Sequence, residues 1–388
     1  MKIGFVRFPK SLYQSGKKIL GGSEIANQYF IDFFRSKNIV VEEFTPIDDK
    51  RINLHTIPAI GTLLMFQGLK DQLEQINKCD VLFSSHWFGV VIPEITIPQI
   101  TLFHHNADLV FNTYHSLPKG EEDIFNKWLS KLNNSDLGLT SDQAMFDKII
   151  SFGEKYLINN SKLSVSVSNY LKGTLIKSYG VLPDKVAVIY NSYPSDWSKE
   201  IINKDFQAEQ LNIISVSRLP IDHDGVILKG IDRLLDVFDN LKDQKYDKSF
   251  LGSTNSKNYG SFFAKQLPSV KFLENANREV VKNNLSQSHV SIHCSRCESF
   301  GLTLTESMLM GNIAITFPTG VAEEIIVDGE NGFLVQSVGE MLDKIKYLNE
   351  NREILPQISK NARQTVLTKM APDVIGNQYL ELINRIKA

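Results

Sequence analysis

The chain has 388 residues, 42 % of them hydrophobic, with 42 Lys and Arg against 44 Asp and Glu and a formal net charge of −2. That is the composition of an ordinary globular protein of two or three domains, and it excludes disordered and fibrous classes. Residues 1–200 carry 21 basic and 21 acidic side chains and the remainder 21 and 23, so neither half has the cationic surplus of a nucleic-acid binder.

The opening MKIGFVRFPK reads as a strand (Ile3 to Phe8) running into a polar loop rather than as a signal peptide, so a cytoplasmic protein is expected, with the inner face of the cell membrane as the alternative location. Three cysteines are too few for a disulfide framework. Gly21-Gly22 closes the loop and Ser23 is the expected helix N-cap, followed by Ala26, Phe30, Phe33 and Phe34 on one face. Strands are expected at Ile39 to Phe44, Asp80 to Ser85 and Pro98 to Phe103, with a helix over 61–77. His86-Trp87 and His104-His105-Asn106 follow strand ends, where open parallel sheets collect ligands. Asp108 gives His104 a potential metal co-ligand, but no further ligand pair completes such a site and no metal is expected.

Residues 107–135 read as polar and helical, 137–140 as a strand and 142–152 as a helix. A strand from Leu163 leads into a helix at 169–179, and Val186 to Tyr190 is another strand. Residues 197–209 lack periodicity and are taken as the linker. Leu211 to Ser217 opens the second half and ends in Arg218; Lys229-Gly230 then precedes a helix with Ile231, Leu234, Leu235 and Phe238 on one face. A strand at Val270 to Glu274 and a helix at 277–287 lead to VSIHCSRCESFGLTLTESMLMG over 290–311. This stretch reads as a buried strand (Val290 to His293), a polar loop, and a helix from Phe300 or Gly301 stopped by Gly311. Cys294 and Cys297 form a nominal C-x-x-C without a thioredoxin-like context or second ligand pair, and are read as reduced cysteines lining the loop. A strand at 313–317 and helices at 321–327, 338–349, 352–369 and 373–386 complete the chain.

The backbone amides of Phe300, Gly301 and Leu302 would form the open tip of that helix, an anion site suited to a diphosphate. Glu298 just before the tip and Glu306 about a turn and a half beyond it could accept hydrogen bonds from hydroxyl pairs on either side. A nucleotide-sugar has this distribution of hydroxyls around an anion. Arg218 and Lys229, after a strand end and before a helix start, would supply two cations to the phosphates.

Glu298-Ser-Phe-Gly-Leu-Thr-Leu-Thr-Glu306, continued by Gly311-Asn-Ile-Ala-Ile-Thr and Glu324-Ile-Ile-Val-Asp-Gly-Glu-Asn-Gly-Phe-Leu-Val, closely resembles the E-x7-E motif of the retaining, family 4 glycosyltransferases of the GT-B fold. The resemblance is strong across the second half and patchy in the first. It implies an α/β chain of two Rossmann-like, doubly wound parallel-sheet domains facing a central cleft: an acceptor-binding domain over 1–200, a nucleotide-sugar-binding domain over 201–370, and a C-terminal helix over 371–388 crossing back to the first. By the same resemblance Glu306 would hold the ribose, Glu298 the transferred sugar, Arg218 and Lys229 the diphosphate, and Gly21 and Gly22 the neighbourhood of the donor phosphates. His104, with His105 as the fallback, would face the reacting carbon. Ser192 stands where the family usually has a Gly, and Glu274 where Phe-Leu-Gly is frequent.

The implied activity is retaining, metal-independent hexosyl transfer with no permanently bound cofactor, from a nucleotide-sugar (UDP-sugar first, GDP-sugar next) to a glycan, lipid-linked or small-molecule acceptor. Cell-surface polysaccharide or glycoconjugate synthesis is the implied setting, with peripheral membrane contact as a further expectation. Competing readings are a glycoside hydrolase using Glu298 and Glu306, in which nothing in the sequence separates the two carboxyl pKa values; a GT-B sugar-nucleotide epimerase; and a catalytically silent sugar-nucleotide-binding subunit.

Overall fold

The computed structural model describes residues 1–7, 22–45, 69–85, 93–114, 117–135, 137, 144–220, 222–243, 245–254 and 258–387, with backbone alone at 114 and 144–149. Gly21, His86, Trp87, residues 138–140 of the expected strand and residues 61–68 of the expected helix over 61–77 lie outside the described residues.

The chain divides into two compact units, one of Met1–Phe111, Ala144–Ser192 and Met370–Ala388, the other of Asn112–Gln143 and Tyr193–Lys369. Among the described residues each unit holds a six-stranded parallel sheet. In the first unit the strands β1 (Lys2–Val6), β2 (Val40–Phe44), β3 (Val81–Ser85), β4 (Gln99–Phe103), β5 (Leu163–Ser166) and β6 (Val186–Val188) take the order β2-β1-β3-β4-β5-β6. β3, β4 and β5 are buried at every position, as expected of parallel strands covered on both faces. Phe5, Phe30 and Phe83 are buried in this core with Tyr379, whose ring packs 4.8 Å from Phe30. Tyr379 comes from the last helix, Pro372–Lys387, which therefore packs on helix Gly22–Ser36 within this unit. That first helix already includes Gly22, so Ser23 sits inside its first turn and is not the N-cap the sequence suggested.

The second unit contains β7 (Leu211–Arg218), β8 (Tyr246–Ser253), β9 (Val270–Glu274), β10 (Val290–His293), β11 (Ile313–Thr316) and β12 (Gly332–Leu334), in the order β12-β11-β10-β7-β8-β9. The order reverses between β7 and β10, and a doubly wound sheet offers its ligand crevice at the carboxyl end of that pair. Two helices here were not anticipated, His223–Lys229 and Tyr259–Gln266. The first is short and broken in its apolar pattern by Gly225; its start is set by Asp222, whose carboxylate accepts the Gly225 amide at 2.6 Å.

The expected single domain over 1–200 differs from the observed grouping, because Asn112–Gln143 packs with the second unit. Helix Glu122–Asn133 buries Phe125, Trp128 and Leu132 in the same core as Leu234, Leu235 and Phe238. The Trp128 indole N–H donates to Asp236 at 3.2 Å, and Lys127 pairs with the same carboxylate at 2.7 Å. The sequence reads 107–135 only as polar and helical, which does not show the core this helix serves. No helix among the described residues is long and apolar enough to cross a membrane.

Trp128 has no exposed surface. Trp128→Ala is expected to destabilise the protein by about 3–5 kcal/mol. Limited proteolysis should then show the 193–369 region becoming susceptible, whereas an unaffected 193–369 region would contradict the packing described.

Candidate active site

The strand-loop-helix segment lies where the sequence put it. β10 ends at His293, the loop runs from Cys294 to Gly301, and a helix spans Leu302–Leu309. Gly301 occupies the N-cap with φ +97°, a left-handed conformation costly for any other residue, and Gly311 follows the helix with φ +71°. The helix starts one or two residues later than expected, so of the three amides proposed for an anion only Leu302 belongs to the helix proper, while Phe300 is buried in the loop. Leu304 to Leu309 are all buried, so this is a core helix rather than an amphipathic one, and Glu306 is buried with it at 4 % exposure.

The loop is fastened to the segment that carries Lys229. The Arg296 amide donates to Leu228 O at 2.8 Å, and a side chain on Gly230, itself at φ +57°, would place its Cβ 1.9 Å from Cys294 O. Only glycine permits that approach. As a result Lys229 Nζ donates to Glu298 Oε1 at 2.7 Å, across 69 residues of sequence. Ser295 Oγ donates to the same oxygen at 2.8 Å, and the Glu298 amide donates to Thr319 Oγ1 at 2.9 Å. Burial works to raise the Glu298 carboxyl, but Lys229, Ser295 and nearby His293 outweigh it and hold the group below its usual range. The sequence assigned Lys229 to a phosphate and Glu298 to a sugar; the structure brings the two into one ion pair, each about a quarter exposed.

Glu306 has a partner that the sequence did not announce. Arg278, the first residue of helix Arg278–Gln287, donates from Nη1 to Glu306 Oε1 at 2.8 Å, and its guanidinium lies 4.6 Å from the centroid of the Trp197 ring. Burial nonetheless dominates and raises the Glu306 pKa above the ordinary carboxylate value despite Arg278. The expectation that nothing distinguishes the two carboxyl groups is therefore corrected: one is raised by burial and the other held down by a lysine. Arg218 is exposed at the end of β7, next to β10 in the sheet, and shows no ion pair among the described residues.

Two supporting groups are neutral. Burial lowers His293 to about 4, and its ring nitrogen lies 3.1 Å from Ser291 Oγ and 3.2 Å from Ser307 Oγ, tying β10 to the helix. Cys294 and Cys297 are buried free thiols pushed up to about 12, the inert lining expected rather than a redox pair.

His104 and Gly22 belong to the first unit. His104 Nε2 lies 3.0 Å from Asn27 Oδ1, and burial lowers its pKa to about 4, so the ring is neutral at physiological pH. Neighbouring His105 is held differently, with Nδ1 3.3 Å from the buried carboxylate of Glu154, which also receives the Ala107 amide at 2.9 Å and the Tyr179 hydroxyl. Gly22 is exposed at the start of its helix. Among the described residues no group of three or more His, Cys, Asp and Glu could hold a metal ion.

The raised Glu306 group yields a stability prediction. Between the ordinary carboxylate pKa and its raised folded value the native state binds the extra proton, so stability falls as pH rises through that window, and the penalty is complete above it. Glu306→Gln is expected to raise the thermal midpoint at neutral pH, by about 2–4 °C per kcal/mol relieved. The gain should shrink as pH is lowered through the window; a midpoint that falls at neutral pH would contradict the assignment.

Residues 200–365 match the family described as glycosyl transferases group 1. Trehalose synthase of Thermococcus litoralis is 33 % identical over 97 residues, 25 % of this chain and 24 % of that protein, so the chain spans about a quarter of the length of this curated relative. Sucrose-phosphate synthase from Thermosynechococcus elongatus superposes with a TM-score of 0.75 over 99 % of this chain and 98 % of its own, at 14 % identity. HepE of Anabaena, solved in complex with UDP-glucose, superposes with a TM-score of 0.67 over 99 % of this chain and 100 % of its own, at 16 % identity. The chain thus has the GT-B fold, and its residues 200–365 match the glycosyl transferases group 1 family.

Proposed function

We propose that this protein is a retaining glycosyltransferase that moves a sugar from a nucleoside-diphosphate sugar to a hydroxyl acceptor, with 193–369 as the donor-binding part and the first unit as the acceptor-binding part. The observation that carries the reading is the Lys229–Glu298 pair, set at the β7/β10 reversal beside the Gly301 helix tip. A cation, a carboxylate and open amides at one point suit a ligand that joins an anion to hydroxyls. UDP-sugars come first as donors, because HepE of the same fold was solved with UDP-glucose.

In this reading Glu306 accepts the ribose hydroxyls and Glu298 accepts hydroxyls of the sugar. Lys229, Arg218 and the amides around Gly301 and Leu302 bear the charge that grows on the diphosphate as the bond from the anomeric carbon to its phosphate oxygen breaks. The acceptor oxygen bonds to the same face of that carbon, and its proton passes to the departing phosphate oxygen, so configuration is retained. His104 is proposed to stand near the reacting carbon as a neutral hydrogen-bonding group. Two protein cations supply the positive charge the step needs, so turnover is expected to persist in EDTA. Acceptors fall in the glycan, lipid-linked or small-molecule classes, and synthesis of a surface polysaccharide or glycoconjugate at the cytoplasmic side of the membrane is the setting proposed.

The unequal carboxyl groups favour one second reading. A glycoside hydrolase uses one carboxyl group with a raised pKa and one with a lowered pKa. Each carboxylate is however already engaged by a cation, Lys229 or Arg278. Hydrolysis of a nitrophenyl glycoside without nucleotide would select the hydrolase.

Lys229→Ala is expected to lower kcat by about 10²–10³, or roughly 2–4 kcal/mol of transition-state stabilisation, with a smaller effect on donor KM. Glu306→Ala should mainly weaken nucleotide binding. A thermal-shift panel of UDP-glucose, GDP-mannose and ADP-glucose followed by steady-state kinetics checks both; a Lys229→Ala enzyme that transfers sugar at the parent rate would refute the role assigned to it.

A further inference from the structure

A group of four charges lies behind the donor loop, and one of its members comes from the first half of the sequence. Arg296 is 2 % exposed as a side chain, Asp232 0 %, Arg233 5 % and Glu121 13 %. Arg296 Nη1 and Nη2 meet both oxygens of Asp232 at 2.7 and 2.5 Å. Its Nε and Nη2 donate to Glu121 Oε2 at 2.9 and 2.7 Å. Arg233 forks onto the same Glu121, with Nε 2.9 Å from Oε2 and Nη2 on Oε1. Burial tends to raise the Glu121 carboxyl, but the two guanidiniums prevail and hold it below the ordinary range.

The two arginines are attached to the loop and to its neighbour. Arg296 Nη1 donates to Ile227 O at 3.0 Å and its amide to Leu228 O at 2.8 Å, which ties the residue two before Glu298 to the residues just before Lys229. Arg233 Nη1 donates to Cys294 O at 3.3 Å, at the start of the same loop, with its guanidinium 3.8 Å from the Phe317 ring centroid. Without Glu121, Asp232 alone would face two buried guanidiniums, which would repel each other and leave a net positive charge out of water. Apolar side chains would hold such a core together at less cost. The directional hydrogen bonds do what apolar packing cannot: they orient the backbone on both sides of the Lys229–Glu298 contact.

We propose that Glu121 is a positioning residue of the donor site, acting through Arg296 and Arg233 to set Glu298 against Lys229. It rests on the glycosyltransferase reading for the identity of the ligand, and it makes Asn112–Gln143 part of the donor machinery rather than only part of the core. Glu121→Asp keeps the charge and withdraws the carboxylate by one methylene, so the fold is retained while the fork onto two arginines is lost.

The test is a double-mutant cycle read by calorimetry at 25 °C. The probe is whichever of UDP-glucose, GDP-mannose and ADP-glucose binds the wild type most tightly, and circular dichroism confirms that each variant is folded. Glu121→Asp should weaken binding about tenfold in the wild-type background and have little further effect in a Glu298→Gln background, because neighbours that act as one unit are non-additive. Donor KM should rise while acceptor KM stays unchanged. Equal binding by wild type and Glu121→Asp overturns the proposal, and so does the same tenfold loss in both backgrounds, which would make Glu121 a fold residue only. A wild type that binds none of the three nucleotide-sugars overturns the glycosyltransferase reading itself, a result distinct from either of these.

Discussion

Lys229 and Glu298 meet at 2.7 Å although 69 residues separate them, and much of the second unit exists to make that contact. β7 and β10 are sheet neighbours at the point where strand order reverses, so the segments that leave them run side by side. Gly230 lets those segments touch, Arg296 stitches them, and Thr319 holds the Glu298 amide from the turn after β11. Each layer is local chemistry. Together they place opposite charges at the carboxyl edge of a parallel sheet, beside a helix tip opened by Gly301.

Charge around the donor loop is kept in balanced groups: Lys229 with Glu298, Arg278 with Glu306, and Arg296 and Arg233 with Asp232 and Glu121. Pairing matters because each carboxylate is at least partly withdrawn from water, where an unpaired charge is costly. The first unit solves the same problem differently. Its buried Glu154 is met by an amide, a tyrosine hydroxyl and a histidine, and its His104 is kept neutral by burial.

What could be read beforehand follows the range of the interactions. β10, the loop and the Gly311 stop are set by neighbours within a few residues, and apolar runs and glycines expose them directly. Most strands of both sheets were legible for the same reason, to within a residue or two at their ends, but β8 was not read as one. Arg278 was not, because a lone arginine opening a polar helix looks like any solvated charge until Glu306 is folded against it. Glu121 lies 175 residues from Arg296, and nothing in the pattern of 107–135 tells which core its helix will join. The helix at His223–Lys229 was hidden because Gly225 interrupts its periodicity. The E-x7-E spacing marked both carboxylates, but that Lys229 already grips one of them is a tertiary fact.

The most direct measurement is a crystal structure with a bound nucleotide-sugar, refined beside its ligand-free form. The account predicts the diphosphate against the amides around Gly301 and Leu302, with Lys229 Nζ moved from Glu298 to a phosphate oxygen and Glu298 turned to the hydroxyls of the sugar. Phosphates bound elsewhere, or a Lys229–Glu298 pair left intact beneath the donor, would contradict it.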